Sequence, residues 1–235
     1  MESTAAGAAA PRVAALSTLE RWAPAAGSLF AALFVAAVII GTVGLDDVGD
    51  KLPEITQNFQ TADYRSTGGF IFILVLLSAL CFLWFLADLT ATMRSLSQGM
   101  LASLVPVGGV VFIAALVVAA AVFISPLLLV GHSPLEGGDP KTVATVYVVL
   151  TEIALGFFGL AGIAGALLMS AAVTVAYRNG LVPRWGAVAV VIGAIVTALT
   201  TWMFVLPILL VVLWVLVASV RRTILYRRGV LKPLA

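Results

Sequence analysis

Chemistry has few places to start in this chain, and the clearest is Glu152, the one charged residue between positions 142 and 177. A carboxylate inside an apolar helix is costly and suggests a proton or cation site. At 100° per residue, Thr145, Glu152, Gly156, Gly159 and Ser170 fall within about 40° of one line on a helix. That polar, small face is expected to meet protein rather than lipid. A plainer reading is a helix-end acid that reaches out to water or pairs with Lys141 or Arg65. Depth favours it: centred in a ~30 Å hydrocarbon core, Glu152 lies about 11 Å from the midpoint, just inside the outer boundary. Gly156, Gly159, Gly162 and Gly165 follow at every third position. Their stripe drifts around a 3.6-residue helix, so Gly156 and Gly159 share the Glu152 face while Gly162 and Gly165 turn away. Close helix packing is expected of all four; a helix broken around a ligand is the rarer use of such a stretch.

Asp88 ends a second apolar run, and with Glu152, Thr145 and Ser170 it makes up the candidate intramembrane polar set. An acid near a helix C-terminus opposes the macrodipole, so Asp88 calls for a cation or for helix continuing beyond it. A structural ion pair with Arg94, Arg178 or Arg184 is expected in preference to a gating acid. His132, the sole histidine, sits beside Ser133, Glu136 and Asp139 without zinc-ligand spacing, and haem between helices draws on more than one histidine. It reads as a solvated loop residue, and neither metal nor cofactor is expected. Cys81, the single cysteine, allows no intrachain disulfide and reads as a small apolar residue. Paired acids, a nucleophile with its base and clustered histidines are all missing from the sequence, which argues against an enzyme.

The elements that position these residues are membrane spans. Hydrophobic residues make up 62% of the 235 and charged residues 10%, against about 25% charged in a soluble domain. Basic residues are dispersed in loops rather than interleaved with aromatics, which excludes nucleic acid as a partner. Apolar runs give approximate spans at 28–45, 68–90, 102–130 and 146–176. Residues 1–27 are expected to be a cytoplasmic segment before a retained first span, since their long and partly acidic charged region does not suit a cleaved signal. In the following acidic loop, Leu52, Ile55, Phe59 and Ala62 recur at helical intervals, which suits either a short surface helix or an irregular loop.

From Trp185 to Val220 the chain is apolar for about 54 Å of helix, too long for one ordinary span. A tight hairpin, with spans at 185–201 and 203–220, resolves this. Its turn is expected at Thr200, Thr201 and Trp202, with Pro207 in the first turns of the last span. The hairpin puts Arg12, Arg21, Arg94, Arg178, Arg184, Arg221, Arg222, Arg227, Arg228 and Lys232 on one side and leaves Lys51, Arg65 and Lys141 on the other. Basic loops stay cytoplasmic. The expectation is therefore an all-α membrane protein of six transmembrane helices, both termini cytoplasmic, with a basic tail at 221–235 held to anionic lipid headgroups.

At "IALGFFGLAGIAGALLMSAAVTVAYRNGLVPRWGAVAVVIGAI" and at "LADL", the chain resembles a family of six-span bacterial membrane proteins known as a domain of unknown function. The resemblance covers Gly68 to Val220. It implies six helices in a bacterial cytoplasmic membrane and carries over no functional residue. The expected role is a non-catalytic accessory component that binds a membrane-protein partner or a second copy of itself. The alternative is a small-solute or proton-coupled transporter using Glu152.

Overall fold

The computed structural model describes residues 9–44, 62–97, 99–129, 140–203 and 205–227, and every regular element among them is helical. Six α-helices follow in order: α1 Ala9–Gly44, α2 Ala62–Leu96, α3 Met100–Leu129, α4 Pro140–Arg178, α5 Arg184–Leu199 and α6 Val205–Arg227. A single 3-10 turn, Thr201–Met203, joins the last two. All but α5 are long and apolar enough to cross a membrane. The surface helix considered at Leu52–Ala62 and the His132 loop lie outside the described residues, apart from Ala62 itself.

Neighbour relations close five helices into a ring. α1 packs on α2, α2 on α3, α3 on α4, α4 on α6, and α6 returns to α1. α5 lies outside, against α4 and α6, with only Ala194 and Thr197 buried. The interior is filled by side chains. Phe30, Phe82 and Phe112 come from α1, α2 and α3, with ring centroids 5.0 Å apart for Phe30 and Phe82 and 5.2 Å for Phe82 and Phe112. Below and above them, Val105, Leu116, Leu168, Val211 and Val215 are fully buried. Offset and tilted aromatic pairs contribute beyond their buried area, and in lipid such contacts, with small residues that let backbones close up, hold helices together.

The tightest approach is between α3 and α4. A Cβ on Gly108 would stand 3.0 Å from the Leu168 backbone nitrogen and 3.1 Å from the Ala164 carbonyl oxygen. Backbone cannot move aside as a side chain can, so a Cβ there would press the two helices apart by a few tenths of an ångström.

The final hairpin forms through local chemistry at both ends. α4 stops at a glycine cap: Gly180 takes φ +70, its N–H donates to the Tyr177 carbonyl (3.0 Å), and the Leu181 N–H donates to the Ala176 carbonyl (2.9 Å). This is the 6→1 and 5→2 pairing of a Schellman motif. Pro183, extended at φ −67 and ψ 155, then opens α5. At the far end the Thr200 hydroxyl donates to the Val196 carbonyl (2.7 Å), the Thr201 hydroxyl to the Ala198 carbonyl (3.2 Å), and the Met203 N–H to the Thr200 carbonyl (2.8 Å). Backbone groups freed by the turn are thereby satisfied inside an apolar surround. Pro207 falls at the third residue of α6, where a missing N–H costs nothing. The Arg221 guanidinium donates to the Leu181 carbonyl, so α6 ends beside the place where α5 began. Turn position, hydroxyl capping and Pro207 placement agree with the sequence reading.

The contrast between two glycines makes the packing testable. Gly108→Ala is expected to lower stability in detergent by about 1–3 kcal/mol, the usual cost of overpacking. Gly156→Ala, where an added Cβ meets nothing within 4 Å, is expected to leave stability unchanged or raise it by up to about 1 kcal/mol, the helix-propensity gain of alanine over glycine. Thermal unfolding of the two variants side by side decides it.

Candidate functional site

The polar set expected from sequence does not assemble. Thr145 and Glu152 are exposed on α4, while Ser170 is half-buried and donates its hydroxyl to the Ala166 carbonyl (2.8 Å). Asp88 lies at the opposite end of the bundle, level with the close of α4. From Glu152 to Arg178 is about 39 Å along the helix. Among the described residues of this chain nothing covers the Glu152 face: Gly156 is exposed, and Gly159 comes no closer than 4.0 Å, from an added Cβ to the Thr201 carbonyl oxygen.

The physical reason lies in the length of α5. Sixteen residues carry the chain about 24 Å before it turns, so the hairpin tip meets α4 at Gly162 and reaches no farther than Gly159. At Gly162 an added Cβ would be 3.2 Å from both Pro207 and Thr201, and at Gly165 it would run into Val211. Of the four glycines expected to pack, the stripe therefore divides. Gly162 and Gly165, which turn away from Glu152, make the contact with α6; Gly156 does not serve in packing within this chain. Gly108 and Gly109, which do, were not singled out from the sequence, although the pair interrupts an otherwise bulky run in "VPVGGVVFI".

Asp88 does find a cation, but it is Arg222 rather than Arg94, Arg178 or Arg184. The Arg222 Nη2 lies 2.7 Å from Asp88 Oδ2 and donates to the Thr92 hydroxyl (2.6 Å) and to the Asp88 carbonyl (3.2 Å). The two side chains are 8% and 9% exposed. α2 also continues two turns past Asp88 to Leu96, so the acid does not face an open helix end. This corrects the reading of the whole tail as a lipid anchor, because Arg222 points inward from α6 while Arg221 caps the α4–α5 turn. Helical phase carried the signal: Val211, Val215, Ser219 and Arg222 follow at intervals of four, four and three, and all are buried. Ser219 continues the same seam to α1, donating to the Pro24 carbonyl and pairing with the Ser28 hydroxyl at 2.9 Å.

The cluster Asp88, Thr92 and Arg222 can lock two helices together; it presents no nucleophile and no paired acids. No group of three or more histidine, cysteine or acidic side chains able to hold a metal occurs among the described residues. Comparison with protein-family models, with curated proteins and with solved structures finds nothing that matches this chain.

Removing one member of a buried ion pair leaves the other charge uncompensated, at a cost of about 3–5 kcal/mol, whereas replacing both by apolar residues is often neutral. Arg222→Ala is therefore expected to destabilise the protein severely in detergent. The Asp88→Leu, Arg222→Met double variant is expected to recover most of that loss in chemical denaturation, which a purely additive outcome would contradict.

Proposed function

We propose that this chain is a non-catalytic, six-span component of a bacterial cytoplasmic membrane, with both termini on the cytoplasmic side, that works by holding another membrane protein. One observation carries the reading. The α5–α6 hairpin that covers α4 at Gly162 and Gly165 turns at Thr201, and above it the α4 face through Gly156, Glu152 and Val148 is left open among the described residues. A small residue, a carboxylate and exposed aliphatic groups on one outward face suit a neighbouring transmembrane helix, since small residues admit close approach and polar side chains add interhelical hydrogen bonds.

Orientation rests on charge. Arg94 ends α2, Arg178 ends α4, Arg184 opens α5, and Arg221 bonds to the turn between those last two. Loops rich in arginine and lysine are retained in the cytoplasm. α5 falls short of a ~30 Å core by a few ångströms. Exposed Trp185 near its start suits an interfacial position.

A transporter acting through Glu152 needs that carboxylate on a protein-lined path. Glu152 instead lies on the outside of a ring whose interior is occupied by Phe30, Phe82 and Phe112, which favours the partner-binding reading.

Mild solubilisation of native membranes is expected to yield the chain with a companion in fixed ratio. Gly156→Trp should release that companion while Leu213→Trp, on an exposed position of α6, should retain it. A wild-type chain recovered alone, active in moving a solute in liposomes and silenced by Glu152→Gln, would instead establish the transporter.

A further inference from the structure

Where α2 hands over to α3, the structure holds a hollow of about 280 Å³ between that turn and the last turn of α4. Its walls differ in character. Leu96, Met100, Leu101 and Val175 supply an apolar side, and Ser97, Arg178 and Asn179 a polar one. Volume places it at the small end of ligand sites, which begin near ~300 Å³. We infer that this hollow is a binding site for the phosphate headgroup of an anionic phospholipid, with Arg178 as the phosphate ligand and the apolar wall against the first part of the acyl chains.

Position, charge and hydrogen-bonding capacity each support that chemistry. The hollow lies at the level where apolar spans give way to the arginine-rich end, the depth of lipid headgroups. Arg178 is exposed into it and makes no ion pair among the described residues, so its forked guanidinium is free for two phosphate oxygens. Asp88 does not offset this charge, because it is buried against Arg222. Asn179 spends one amide hydrogen on the Val175 carbonyl (2.9 Å), which fixes its side chain at the wall. The Ser97 hydroxyl accepts from the Gly99 N–H (3.3 Å), which leaves its own hydrogen to donate. Basic pockets between transmembrane helices are a recurrent form of anionic-headgroup recognition. A mixed wall also separates a lipid from a soluble phosphate, which gains nothing from leucine and methionine.

The full chain in detergent, titrated with phosphatidylglycerol and with phosphatidylcholine and read by native mass spectrometry, tests the site. Phosphatidylglycerol should bind roughly tenfold more tightly than phosphatidylcholine, and Arg178→Gln should remove that preference, as expected for losing a charge-assisted pair. Ser97→Phe, which fills the hollow and keeps every charge, should do the same. Arg184→Gln, outside the hollow, should change affinity less than about twofold, within the range of exposed charges. Unchanged thermal unfolding of the variants certifies their fold. Equal binding of the two lipids, or equal weakening by Arg184→Gln and Arg178→Gln, would overturn the proposal in favour of diffuse attraction. Displacement of phosphatidylglycerol by inorganic phosphate in large excess would overturn the lipid as the source of the phosphate.

Discussion

Arg222 on the last helix meets Asp88 on the second because α6 runs back along α4 to the level where α5 began. Deep in an apolar bundle, removing either partner of such a pair strands the other charge. One nitrogen of the guanidinium serves a carboxylate, a carbonyl and a hydroxyl on two adjacent turns of α2, while its Nε and Nη1 are buried without a hydrogen-bond partner among the described residues. The pair closes the ring of five long helices at the arginine-rich end. Ser28 and Ser219 extend the closure one turn inward, where the aromatic cluster takes over. The Arg221 contact with Leu181 depends on the last helix returning to this level, beside the locally formed Schellman cap at Gly180.

The same return explains what happens at the other end. A hairpin whose first arm is about 24 Å long cannot cover the ~58 Å of α4. Gly162 and Gly165 are therefore buried under α6, whereas Glu152 and Gly156 stand clear of it. An exposed carboxylate costs little wherever its side chain can reach water.

Much of this was legible before any coordinates. Apolar run lengths located the helices, and two threonines with a proline six positions on marked the hairpin turn, because a break in an apolar environment needs hydroxyls to satisfy freed carbonyls. The need of Asp88 for a cation was equally plain from its place near a helix end. Its partner was not, since Arg94, Arg178 and Arg184 lie at the matching expected depth, whereas Arg222 reads as part of a basic tail although it shares the buried phase of Val211, Val215 and Ser219. The Glu152 face was misread for a different reason. Helical phase says which residues share a face, but what covers that face depends on the length of another helix, and the sixteen residues of α5 set it. Gly108 was missed because a close backbone approach leaves no periodic trace in a single sequence.

The central claim is that the chain turns back at Thr201–Met203, so that the α4–α5 turn and the end of α6 share one side of the membrane. In a Cys81→Ala background, single cysteines at Asn179 and Arg227 can be probed with a membrane-impermeant maleimide in sealed vesicles of known orientation. Labelling of both positions from the same side is the predicted result. Labelling of Asn179 and Arg227 from opposite sides would mean that α5 and α6 cross as one helix, and would contradict the account.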